Sequence, residues 1–251
     1  MDEQARYLFD LQGFITVPGA LTAAQIRGLD REFDARVRAD VSPEANSHRF
    51  NSLLDWGPQF RDLIDNPRVT DHLAAILGPQ FRLDHEYGDL IRRGKGPIGT
   101  RLHGGAVPFD PSQYYLVAQG QIHSGLVVVA YNLRDVGPAD GGFAAVPGSH
   151  KANYPFPTEW TELETDRPRP WLRRVTGPAG TAIIFTEALS HGTLPWTGAG
   201  ERRTLFLKYS PHASAWSANY YDAARWPDLT ERQRAILEAP NARYSSRGKM
   251  G

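Results

Sequence analysis

Apolar and polar positions follow two different rhythms on either side of residue 80. On the N-terminal side the spacing is mostly helical. Thr22-Ala23-Ala24-Gln25 has the form of a capping box, in which threonine and glutamine side chains satisfy backbone N–H groups reciprocally, and it opens an amphipathic stretch running to about Val37. Asn66-Pro67 joins a good N-cap to a residue whose missing N–H is harmless in a first turn, and the helix it starts runs to Leu77, where Gly78 stops it. A short apolar stretch at 14–17, closed by Pro18-Gly19, reads as a strand. From Phe81 the texture is that of strands: 81–92 is extended, and Arg93-Gly94-Lys95-Gly96-Pro97 is a loop. The continuous apolar run at 126–133 reads as a strand buried on both faces. Asp140-Gly141-Gly142 is a turn followed by short strands, 181–185 and 203–209 are two more strands, and 230–237 is a last helix. There is no internal repeat and no linker. Helices around a late-strand core predict one domain over 1–251, mainly β with flanking helices: a double-stranded β-helix, the cupin-like jelly roll.

Composition then removes several classes of function. Lys plus Arg equals Asp plus Glu at 28 each, so no global field recruits polymeric nucleic acid or an anionic membrane. No apolar run approaches the roughly 18 residues needed to span a bilayer. The opening MDEQARYLFD is acidic and lacks the basic-then-apolar pattern of an export signal, so the expected location is cytoplasmic. The absence of cysteine excludes disulfides, thiolate metal sites and cysteine nucleophiles. A metal would have to be held by His, Asp or Glu, which suits an ion such as Fe(II).

Two histidines offer themselves for that purpose. His103, in His103-Gly104-Gly105, and His191 both fall at predicted strand ends, and an arginine pair, Arg202-Arg203, follows the second. Non-haem Fe(II) oxygenases hold their metal with two histidines and one carboxylate on one face, leaving the other positions open. The carboxylate normally stands two residues after the first histidine; here that residue is Gly105.

Several segments, in their order and spacing, resemble the phytanoyl-CoA dioxygenase family of Fe(II)/2-oxoglutarate enzymes over nearly the whole chain. They are Asp10-Leu11-Gln12-Gly13-Phe14 with Val17-Pro18-Gly19, Asp140-Gly141-Gly142-Phe143 leading to Pro147-Gly148-Ser149-His150, and Gly180-Thr181-Ala182 into Phe185 and Ser190-His191-Gly192-Thr193. The resemblance implies Fe(II) on His103 and His191, O2 as oxidant, and 2-oxoglutarate held through its distal carboxylate by Arg202 and the Thr193 hydroxyl. A guanidinium fork matches a carboxylate bidentately where lysine would offer a point charge. Side chains alternate along a strand, so Arg202 and Arg203 cannot both point inward, and the family spacing selects Arg202. His150 reads as a structural turn residue.

Gly105 decides which reaction is expected. Fe(II)/2-oxoglutarate halogenases show the same departure: glycine or alanine replaces the carboxylate, chloride binds the iron, and the substrate radical collects chlorine. By that resemblance Gly105 is the catalytic departure, Gly104 and Gly105 border the halide, and the expected reaction is chlorination of an unactivated C–H in secondary metabolism, as in antibiotic biosynthesis. Two alternatives stay open: a hydroxylase whose carboxylate comes from elsewhere, such as Asp110 or Glu187, and a non-catalytic jelly roll that binds a small molecule.

The substrate is less legible. Arg92, Arg93, Lys95 and Arg101 place positive charge near His103 and suit a phosphate or carboxylate on a small molecule. Tyr87, Trp196 and Trp216 are candidates for stacking a base. Within the family, nucleotide halogenases acting on a deoxynucleoside monophosphate are the nearest match, with amino acids, alkaloids and carrier-bound acyl groups also open. Oligomeric state is not readable.

Overall fold

The chain begins with a helix that the apolar pattern does not announce. α1 (Glu3–Gln12) is started by Asp2, whose side chain accepts from the Ala5 N–H, and stopped by Gly13 at φ 84°. β1 (Phe14–Val17) leads into α2 (Ala23–Asp40), which carries the capping box expected at Thr22 and Gln25. Next come β2 (Ser47–Asn51), the single turn α3 (Pro58–Arg61) and α4 (Pro67–Leu77), capped by Asn66 and ended at Gly78, followed by β3 (Phe81–Ile91). A hairpin of β4 (Tyr115–Ala118) and β5 (Gln121–Ser124) precedes β6 (Val127–Asn132). β7 (Gly142–Ala145), β8 (Arg173–Arg174), β9 (Ala182–Thr186), β10 (His191–Leu194) and β11 (Arg202–Pro211) complete the strands, and α5 (Glu231–Ile236) follows with a second capping box at Thr230. The computed structural model describes residues 1–93, 98–165 and 168–242.

The strands form a six-stranded antiparallel sheet in the order β1-β9-β6-β11-β3-β2 and a three-stranded sheet in the order β10-β7-β8. The two face each other as a jelly roll. Alternation explains how one strand serves two layers. On β6, Val127, Val129 and Tyr131 join the core beneath the helices, with Leu29 and Phe33 of α2 and Leu73 and Ile76 of α4. Val128 and Ala130 join a second core between the sheets, with Phe143 and Ala145 of β7, Phe185 of β9 and Phe206 of β11. That double cover is why 126–133 reads as an unbroken apolar run.

The inner face of the large sheet is graded. Towards β1 and β9 it carries Phe14, Ile183 and Phe185, whereas its β11, β3 and β2 side carries Lys208, Tyr87, Asp89 and Arg49 around a cavity of about 220 Å³. No helix among the described residues is long and apolar enough to cross a membrane.

Candidate metal centre

His103 and His191 are brought together by an isolated antiparallel bridge, with His103 N–H donating to the His191 carbonyl and the reverse, both at 2.9 Å. Their ring centroids lie 4.2 Å apart. Each Nδ1 faces a backbone carbonyl, Arg101 at 3.1 Å for His103 and Leu189 at 2.7 Å for His191. A carbonyl only accepts, so Nδ1 carries the proton and Nε2 keeps its lone pair, the arrangement by which outer groups orient ligating histidines.

The third candidate donor is Glu187, in the turn between β9 and β10. Its N–H donates to the Leu126 carbonyl at 2.9 Å, which pins the turn to the entry of β6. Its Oε2 lies 3.8 Å from His191 Nε2, and one donor atom from each of His103, Glu187 and His191 falls within 4.8 Å of the others. The other carboxylate oxygen pairs with Lys208. Burial alone would raise the Glu187 carboxyl, but the ammonium of Lys208 outweighs it and brings it down to about 2. Burial, followed by the nearby His103, lowers His191 to about 3, so its imidazole is neutral and available as a ligand. Two imidazoles and one buried carboxylate are the donor set of a facial triad.

The Gly-Gly pair is placed differently from the expectation. Neither Gly104 nor Gly105 is among the residues lining the cavity. The Gly105 N–H is donated to the Ala188 carbonyl at 2.9 Å and does not offer itself to a halide. A Cβ on Gly105 would lie 3.2 Å from Ser190 Oγ, and one on Gly104 would collide with the Leu189 and Glu187 carbonyls at 2.4 and 2.6 Å. With φ at +80° and +117° both positions are ones that glycine occupies readily and other residues occupy under strain. The glycines let the chain pass tightly under the turn that carries Glu187.

On β11 the two arginines part company. Arg203 faces α2 and pairs with Asp30, Asp34 and Glu201 at 2.7 to 2.8 Å. Arg202 faces inward beside Gly142, and its Nε and Nη1 are buried without a partner. Burial lowers its guanidinium to about 10, so it stays charged. Thr204 stands two residues on and Asn132 is its partner on β6, so both share that face. Thr204 Oγ1 and both side-chain polar atoms of Asn132 are also buried and unpartnered. Buried polar groups are nearly always satisfied, so a charged orphan with polar orphans beside it has the chemistry of a carboxylate cradle.

Of the remaining expected residues, Thr193 and Tyr87 line the cavity. Trp196 does not: it is buried with Ile91 and Val136 and donates Nε1–H to the Gly200 carbonyl, so it belongs to the core. Arg93 is turned to the Thr197 carbonyl and Arg101 to Glu162, neither on the cavity wall. Lys95 lies outside the described residues. Asp110 caps its own turn through Ser112, and His150 is buried with Nε2 on the Asp10 carbonyl, a structural role. Sequence reading passed over Arg49, Asp89, Lys208, Asn132 and Thr204. Period-two alternation counted from Arg202 would have found Thr204 and Lys208.

HygX from Streptomyces hygroscopicus, solved with nickel and 2-oxoglutarate, is 26% identical over 91% of this chain and 94% of its own, with a TM-score of 0.76. HygX with nickel, 2-oxoglutarate and hygromycin B gives 27% identity, the same coverage and 0.73. The epimerase SnoN, solved with Fe3+, alpha ketoglutarate and nogalamycin RO, shares the fold at 20% identity, 84% coverage of each chain and 0.60. No curated protein sequence gives a significant match. Residues 9–204 match the family Phytanoyl-CoA dioxygenase (PhyH), and the chain therefore belongs to that family of iron- and 2-oxoglutarate-dependent enzymes.

Proposed function

We propose that the protein is an Fe(II)/2-oxoglutarate-dependent oxygenase that hydroxylates a C–H bond of a small molecule of secondary metabolism. In this reading His103, His191 and Glu187 hold the metal, and Arg202 holds the distal carboxylate of the cosubstrate with help from Thr193. The observation that carries it is the buried Glu187 carboxylate beside both imidazoles, which supplies from the β9–β10 turn the donor that Gly105 lacks. Iron with 2-oxoglutarate and O2 supplies an oxidant strong enough to take hydrogen from an unactivated carbon. The protein's part is placement. The two carbonyls on the Nδ1 atoms aim the Nε2 lone pairs, Lys208 steadies Glu187, and Phe143, Phe185 and Phe206 keep the inner wall dry. HygX, seen with hygromycin B, supports an antibiotic-type substrate.

A second reading, chlorination, is favoured by one observation. Glu187 is already paired with Lys208, and a carboxylate that stayed there would leave a metal position open to chloride. The experiment is metal titration with Ni(II), followed by product mass spectrometry of Fe(II)-loaded protein with and without halide. Glu187→Ala is expected to weaken metal binding by more than the roughly 10- to 100-fold typical of losing an outer-sphere partner. Wild type is expected to give the same oxygenated product without chloride. Full metal affinity in Glu187→Ala, together with a chlorine isotope pattern from wild type, would install the halogenase instead.

A further inference from the structure

Outside the metal centre, the wall on β3 continues as an aromatic shelf. Tyr87 stacks on Phe206 at 4.8 Å and 22°. His85, two residues back on the same face, is stacked towards Tyr87 at 6.2 Å and 19°, and Trp216 lies over His85 at 5.0 Å. Trp216 is 54% exposed, yet it is not loose. The N–H groups of Trp216 and Ser217 donate to the buried Asp84 carboxylate at 2.9 and 3.0 Å, and the same carboxylate takes His85 Nδ1 at 2.7 Å. A large apolar ring presented to solvent from a pinned backbone is preorganised to stack on a ligand, and little ordering entropy remains to be lost.

Charge narrows what that ligand is. Between the shelf and the metal centre, Arg49 forks onto Asp89 with two bonds of 2.8 Å while its guanidinium covers Tyr87 at 4.0 Å. Lys208 is committed to Glu187, Arg92 to Glu201 and Arg101 to Glu162. A phosphate ester on this wall would have to break one of these pairs, since Arg93, turned to the Thr197 carbonyl, lies off it. Phe206 and Arg49 cover the two faces of Tyr87, so what the wall offers is the outer face of Trp216 and, nearer the metal centre, a neutral, planar donor–acceptor pair. That combination suits a ring whose face is C–H and whose edge is hydroxyl.

We propose that the Tyr87, His85 and Trp216 shelf, together with the Arg49–Asp89 fork, is the substrate subsite and takes a glycoside, an uncharged hydroxyl-rich ring system reaching from the metal centre to Trp216. The sugar nearest the metal places its hydroxyls on Asp89, which accepts, and on Arg49, which donates. A further ring lies on Trp216. This rests on the oxygenase reading of the neighbouring centre, and it puts an uncharged ligand where the sequence suggests a phosphorylated one.

The test uses wild-type protein loaded with Ni(II) and 2-oxoglutarate, whose binding is first established by titration, so that failure of the oxygenase reading shows itself before any sugar is added. Saturation-transfer NMR then compares methyl β-glucoside, maltose and maltotriose with AMP and 2-naphthol. The expected result is transfer to sugar ring protons that strengthens from one ring to three, and little transfer to AMP. Trp216→Ala, with an unchanged circular dichroism spectrum, should weaken maltotriose binding by roughly 2- to 10-fold, the range for one aromatic contact, and Trp216→Tyr should restore most of it. Asp89→Asn should weaken the single-ring probe as well. Transfer to AMP above that to the sugars, equal response of 2-naphthol and maltotriose, no transfer to any sugar from loaded protein, or indifference of maltotriose to Trp216→Ala would each overturn the glycoside subsite while leaving the metal centre as described.

Discussion

The two faces of β11 bury the same kind of group in opposite ways. On the face toward the helices, Arg203 meets Asp30, Asp34 and Glu201, and its charge is cancelled within the fold. On the face toward the small sheet, its neighbour Arg202 is as deeply buried and has no protein partner at Nε or Nη1. Leaving a buried charge unpaired costs several kcal/mol, so the inner face is finished only when an anion arrives. On β11 burial is common to both arginines, and only the presence or absence of a protein partner separates Arg203 from Arg202.

The hardest test of that contrast is to remove each arginine in turn. Arg202→Ala is expected to weaken 2-oxoglutarate binding by about two to three orders of magnitude, the equivalent of roughly 3–5 kcal/mol for breaking a buried charged pair. It should leave the melting temperature of the ligand-free protein unchanged or raised, because no hydrogen bond at Nε or Nη1 is lost and an unpaired buried charge is removed. Arg203→Ala should do the reverse, lowering the melting temperature by several degrees with 2-oxoglutarate affinity unchanged. Calorimetry with and without the cosubstrate separates the two. Equal loss of affinity in both variants would mean that the faces do not divide the work.

Lys208 extends the contrast because, of the two charged residues on the inner face of β11, it is the one that has a protein partner. It holds Glu187 in the metal-free protein, and a bound cation would take over that task while being repelled by the ammonium group. Lys208→Met should therefore lower the melting temperature of the metal-free protein and leave Ni(II) affinity equal or several-fold higher. A fall in Ni(II) affinity would show that Lys208 aims Glu187 rather than competing for it.

Much of this architecture was legible beforehand, for identifiable reasons. Helix caps and strand periods are local, so α2, α4, β6 and the paired histidines could be read from short stretches, and alternation assigned Arg202 and Arg203 to opposite faces. Glu187 appeared only as one of two carboxylates that might complete the site. Its choice over Asp110 depends on the β9–β10 turn being pinned to Leu126, a contact between distant segments. At Gly105 the sequence shows only an absent side chain, while the left-handed backbone angle and the bond to Ala188 belong to the tertiary structure. Trp196 looked like a stacking candidate because aromatic residues are equally suited to cores and to ligands, and only tertiary packing separates the two. The shelf residue that remains exposed, Trp216, is held by Asp84, which is 132 positions away.

The finest test concerns Thr204, whose hydroxyl is buried beside Arg202 with no protein partner. Thr204→Val replaces that hydroxyl by a methyl group of nearly the same shape. In an ordinary core the exchange costs stability, because a hydrogen bond is lost along with the hydroxyl. Here no bond is present to lose, and an unsatisfied buried hydroxyl carries a desolvation penalty that the methyl group does not. The ligand-free variant should be as stable as wild type or more so, by up to about 1 kcal/mol. The same change removes a donor from the cradle, so 2-oxoglutarate should bind about 3- to 10-fold more weakly, matching the roughly 0.5–1.5 kcal/mol net worth of one hydrogen bond. Opposite signs in the two measurements are the signature of a group kept for a ligand. A variant that loses stability without ligand and keeps its affinity would place Thr204 with the satisfied face, and the carboxylate cradle would then reduce to Arg202 and Thr193.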